Sequence, residues 1–196
     1  ANQLDRLGAQ LIENFDFSQE IEILKNADFS IYEPSAQSNL IGGVQFDDWI
    51  ENPSTGKRKM TAELNGFKSE VIVKQTSTWH QRFYQSVSSD LVIGKKYRFT
   101  ATFLTSDGSS IRVAVQTAGS TSIQAGATYS TDAGVYQSID IYFTCTSRTS
   151  QIVDLWPTTL QEIGEYFSVS NLSVKEVGED WTLSANASIQ NNELTL

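Results

Sequence analysis

From about residue 40 onward, the hydrophobic positions of this chain recur at every second residue, the period of a strand with one buried face. Tyr97, Phe99, Ala101 and Phe103 share one parity, with Arg98, Thr100 and Thr102 on the other. Ile111, Val113 and Val115 alternate with Arg112, Ala114 and Gln116. Ile139, Ile141, Phe143 and Cys145 alternate with Ser138, Asp140, Tyr142 and Thr144. Two turn signals predict hairpins. Asn65-Gly66 stands between "RKMTAEL" and "FKSEVIVKQ", and both residues tolerate positive φ; "TSDGSS" stands between "KYRFTATFL" and "IRVAVQ". Strand after strand with one apolar and one polar face predicts an all-β, antiparallel β-sandwich.

The ends of the chain depart from this period. Leu4, Leu7 and Leu11 fall at helical spacing, with Gly8 weakening the turn they would form. Residues 1–24 read as an N-terminal arm and residues 25–178 as the sandwich. Residues 179–196 read as extra strands around an Asn191-Asn192 turn, either the start of a second module or a segment completing a neighbour's sheet. A phrase is repeated near the start: Asn14-x-Asp16-Phe17-Ser18, then Asn26-x-Asp28-Phe29-Ser30. The second copy, followed by Trp49, is expected to open the sandwich.

Composition narrows the function. A net charge of −9 and the lack of a basic run argue against nucleic acid. No stretch is apolar enough to insert into a membrane. The opening "ANQLDRLGAQ" does not read as a secretory signal, so synthesis in the cytoplasm is expected. Cys145, alone in the chain, alternates with polar residues in "IDIYFTCT" and is expected to be a buried structural thiol.

Three stretches together resemble the family 4/9-type carbohydrate-binding module, a galactose-binding-like jelly roll: "LIENFDFS", "WHQRFYQSV…LVIGKKYRFTATF" and "YFSVSNLSVKEV". The ending "NLSVKEV" running into "DWTL" is also similar to sequences in bacteriophage tail, fibre and virion-surface proteins. The resemblance implies a jelly-roll sandwich with a sugar cleft on one sheet. It also implies a structural Ca²⁺ near the first and last strands, where Asp28 and Asn171 are the candidate ligands. The chain departs from the family there, with Ser30 in place of Glu and Ser170-Asn171 in place of an Asp pair, which weighs against the ion and leaves no cofactor expected.

Catalysis finds little support. His80 is the only histidine, and no nucleophile elbow, zinc motif or phosphate loop is present. Asp47-Asp48 and Glu162 with Glu165 are the weak candidates for a glycosidase pair. Sugar binding asks for an aromatic platform flanked by planar polar groups. "TWHQRFYQS" offers both, on either of two parities. If the even set faces the ligand, His80, Arg82 and Tyr84 line the site beside Arg112 and Gln116; if the odd set does, Trp79 is the platform. Gln85 aligns with the family's recurrent Gln, and Trp156 in "IVDLWPTT" is a further aromatic candidate. The expectation is a non-catalytic, structural virion-surface protein (tail, fibre or capsid decoration) that contacts other virion subunits or its own copies, with a cell-surface glycan as a candidate ligand. The alternative is an extracellular, stand-alone carbohydrate-binding module of a polysaccharide-degrading system.

Overall fold

The computed structural model of the chain describes residues 21–34, 44–51, 58–74, 82–119, 122–160, 162–177, 188–190 and 193–195. Outside these residues lie Leu4, Leu7 and Leu11, the first copy of the repeated phrase with Asp16, Trp79, His80 and the Asn191-Asn192 pair. The chain divides into two units, residues 20–177 and residues 1–19 with 178–196. In the second unit, β14 (Ser188–Gln190) pairs with β15 (Glu193–Thr195), placing Ile189 opposite Leu194.

Residues 20–177 form two antiparallel sheets. The six-stranded sheet runs in the order β11 (Gln137–Thr144), β8 (Lys96–Thr105), β13 (Tyr166–Glu176), β6 (Gly66–Val71), β5 (Arg58–Glu63), with β1 (Ile21–Glu22) also paired to β13. The five-stranded sheet runs β10 (Ile123–Tyr129), β9 (Ile111–Thr117), β12 (Gln151–Pro157), β7 (Phe83–Ser86), β4 (Ile50–Glu51). A short ribbon, β2 (Tyr32–Pro34) with β3 (Val44–Phe46), stands beside them. The sheets pack face to face as the alternation requires. Phe67, Phe99, Phe103, Phe167 and Val169 from one meet Phe83, Val113, Val115, Val153 and Leu155 from the other in a single buried cluster. Each such side chain is worth about 1.5–3 kcal/mol of burial. The sheet takes in residues 21–22, so strand pairing begins within the stretch read as the arm.

The first hairpin is formed, but its glycine has a different reason from the one its sequence offers. Asn65 does take positive φ, at 52°. Gly66 does not; a Cβ there would lie 2.2 Å from the Val169 carbonyl oxygen, because β13 crosses directly against it. The second expected hairpin is corrected. β8 and β9 lie in different sheets, and the Ser106–Ser110 connection carries the chain across the sandwich. Asp107 accepts the Ser109 amide N–H at 2.9 Å, and Thr105 Oγ1 donates to the Ser109 carbonyl at 2.9 Å, bending the loop over the edge. Alternation records that both strands face the core; it does not say which side of the core each is on.

The second copy of the repeated phrase forms a turn, not a strand, over residues 24–28. Asn26 and Phe29 both adopt left-handed backbone, at φ 47° and 57°. The Asn26 amide closes the turn by donating to the Ile31 carbonyl (2.7 Å) and the Asp47 carbonyl (3.2 Å) and accepting from the Ile31 N–H (3.0 Å). That drives Phe29 among Phe67, Trp49 and Phe46, with ring centroids 4.8, 5.1 and 5.4 Å away. A bulky residue holds a left-handed φ only where its surroundings over-determine it. Phe29→Ala is expected to cost about 3–5 kcal/mol by urea unfolding; a loss below about 1 kcal/mol would show that this turn does not anchor the core.

Candidate functional site

The even-numbered residues of the five-stranded sheet face away from the core. Phe83 and Gln85 are buried on the inner side of β7, which puts Arg82 and Tyr84 on the outer side. Register then aligns the rest. Trp156 stands opposite Arg112, Arg112 opposite Thr128, and Asp154 opposite both Ala114 and Tyr84. Arg82, Tyr84, Arg112, Gln116 and Trp156 thus share one face.

At its centre is a residue that the sequence reading does not single out. Asp154 has no exposed surface although it lies on the outer side of the sheet. Arg82 grips it from both guanidinium nitrogens, Nε to Oδ1 at 2.5 Å and Nη2 to Oδ2 at 2.9 Å, and Gln116 Nε2 donates to Oδ2 at 2.6 Å. Three N–H donors on two oxygens is the arrangement of a carboxylate anion. Burial pushes the Asp154 carboxyl above its ordinary pKa, and the pull of Arg82, Arg112 and Gln116 opposes that shift.

The network extends across β9. Gln116 turns its amide oxygen to Arg112 Nη1 at 3.3 Å, and Arg112 Nε donates to Thr128 Oγ1 at 3.3 Å. Arg112 and Gln116 are four positions apart, about 13 Å along a strand. Ala114, the small residue between them, leaves room for the two to meet and is itself fully buried. The Arg112 guanidinium lies 5.1 Å from the Trp156 ring centre, and that of Arg82 lies 5.7 Å from Tyr84. Both aromatic side chains are half-buried. The result is two aromatic rings, each braced by an arginine, over a desolvated polar floor. Such a surface can stack the C–H face of a sugar ring and offer fixed donors to its hydroxyls.

Gln85 does not belong to this face. Its amide is buried and occupied by backbone: it accepts the Lys25 N–H at 2.8 Å and donates to the Lys25 carbonyl at 2.8 Å and the Asp48 carbonyl at 3.2 Å. It ties the opening turn to β7. Trp79 and His80 lie outside the described residues.

The positions implied for Ca²⁺ do not fit the ion. Asp28 Oδ1 is taken by the Ser30 N–H (3.2 Å) and hydroxyl (2.9 Å), while Asn171 stands at the bulge of β13. Between first and last strands, Glu22 instead meets donors: the N–H groups of Leu24 (3.0 Å) and Val174 (2.9 Å) and the Ser173 hydroxyl. Among the described residues no group of three or more His, Cys, Asp or Glu could hold a metal.

The weak glycosidase candidates have local roles. The Asp48 backbone takes φ 65° in an exposed turn, and Glu165 accepts the Glu162 N–H at 2.8 Å. Cys145 is buried, and burial raises its thiol pKa. Asp154 did leave a trace in the sequence, as a lone carboxylate inside the apolar run Ile152-Val153-Asp154-Leu155-Trp156.

No protein-family model and no curated protein matches this chain. Among solved structures it is similar to one described as "CBM4 structure and function", with TM-score 0.53 and 14% identity over 78% of this chain and 98% of that one. It is also similar to the arabinose-bound MgGH51 α-L-arabinofuranosidase, with TM-score 0.51 and 13% identity over 79% of this chain and 26% of that one. The fold is the jelly-roll sandwich of the carbohydrate-binding modules.

The buried pair makes an asymmetric prediction. Arg82→Ala strands a carboxylate that has no access to water and is expected to cost about 3–5 kcal/mol. Asp154→Ala is expected to cost less, because the Arg82 side chain is 18% exposed and can turn to solvent. Denaturant unfolding of both variants checks the order; equal or reversed costs would contradict the pairing described.

Proposed function

We propose that this chain is a non-catalytic glycan-binding protein that uses the outer face of the five-stranded sheet. The observation that carries the reading is the pairing of half-buried Trp156 and Tyr84 with Arg112 and Arg82 over the Asp154–Gln116 floor. Polar groups already fixed by one another lose little freedom when a sugar arrives, so more of each contact appears as affinity. The arrangement also speaks against chemistry. The carboxylate at the centre has both oxygens taken by Arg82 and Gln116 and no surface open to solvent, a poor setting for a general acid or base.

The setting we propose is a virion surface, reached after synthesis in the cytoplasm, where other virion subunits or further copies of the chain are its neighbours. The support is the cadence "NLSVKEV…DWTL", similar to that of phage tail proteins. Many copies on one particle would compensate for weak single sites. A stand-alone carbohydrate-binding module of a polysaccharide-degrading system is the second reading. The observation favouring it is that residues 20–177 form a unit by themselves.

The test is a glycan array probed with multivalently displayed protein. A reproducible hit is expected, reduced at least about tenfold by Trp156→Ala in protein with an unchanged circular dichroism spectrum, since truncating an aromatic anchor at a binding surface costs about 2 kcal/mol or more. A hit indifferent to Trp156 would move the site off this face.

A further inference from the structure

Two cations stand on this face and only one is neutralised within it. Arg82 is spent on Asp154. Arg112 is in direct contact only with neutral groups, the Thr128 hydroxyl, the Gln116 amide oxygen and the Trp156 ring, and feels Asp154 through space without touching it. Among the described residues no carboxylate comes within ion-pair distance of it. The reason is Gln116. Its amide nitrogen faces Asp154 and its oxygen faces Arg112, so a neutral group separates the carboxylate from the second guanidinium. A half-buried guanidinium gains more from an anion than from hydroxyl and amide oxygens, and its planar fork matches a carboxylate.

Building on the glycan-binding reading, we propose that the glycan held here is acidic: a saccharide whose carboxylate pairs with Arg112 while its ring lies against Trp156. The net charge of −9 does not oppose this. Charges farther than about 8 Å are screened at physiological salt, so the single local cation decides. One cation also favours a repeat whose carboxylates are spaced apart over a dense polyanion. The ring position and the charge position are then read together, since Trp156 and Arg112 are direct cross-strand neighbours.

The test uses the full chain, multivalently displayed, against immobilised hyaluronan, alginate and polysialic acid, each beside its carboxyl-reduced counterpart, with neutral glycans on the same surface. At least one acidic polymer is expected to bind, and its reduced form to bind at least about tenfold more weakly, as loss of one charge-assisted contact implies. Arg112→Gln should lose a similar factor, while Arg112→Lys, which keeps the charge and guards against a folding defect, should retain part of it. Equal binding to acidic and reduced forms, binding confined to neutral glycans, or indifference to Arg112→Gln overturns the acidic assignment and leaves the glycan-binding reading standing. Binding to neither acidic nor neutral polymers overturns that reading as well.

Discussion

A carboxylate without access to water has to be answered by other protein groups, and on this molecule that need organises a whole face. Asp154 sits on the outer side of a sheet, where a side chain would ordinarily be wet, yet it has no exposed surface. An ionised group so placed costs several kcal/mol unless donors meet both its oxygens. Arg82 supplies two and Gln116 a third. Once Gln116 is committed, its amide oxygen is aimed at Arg112, and Arg112 in turn is held over Trp156. The positions of the aromatic rings and of the remaining cation follow from one buried charge.

The inner side of the same sheet explains why that face can be rigid. Val113, Val115, Val153 and Leu155 are fully buried between the sheets, so β9 and β12 cannot shift without opening the core. At the far edge, Gln85 stitches β7 to the opening turn, where the Asn26 amide and the Phe29 ring close the sandwich. Backbone order is created in the core and handed outward through side chains of alternate parity.

Much of this was legible in the sequence. Two-residue alternation located the strands and the sandwich, and of the even-parity set Arg82, Tyr84, Arg112 and Gln116 share one face, where Trp156 joins them, while His80 lies outside the described residues. What alternation lacks is the third dimension. Strands β8 and β9 carry the pattern of a hairpin, but each faces the core from its own sheet. Gly66 looks like a turn residue and is instead a point of close approach by β13. Gln85 shares a strand with Arg82 and Tyr84 but faces inward, because it has the parity of Phe83, and alternation alone does not say which parity of β7 meets the core. Asp154 was hidden for a related reason: in sequence it interrupts an apolar run, and only register shows that its neighbours across the sheet are Tyr84 and Ala114.

The central claim is that the ligand face lies outside the five-stranded sheet, with Trp156 and Arg112 at its working edge. The most direct measurement is a heteronuclear NMR titration following the tryptophan indole and arginine Nε–H signals as a bound glycan is added. The Trp156 indole and the Arg112 and Arg82 signals are expected to shift while that of Arg98, on the outer face of the six-stranded sheet beside Asp140 and Tyr142, stays in place. Shifts at Arg98 with Trp156 and Arg112 unmoved would contradict it.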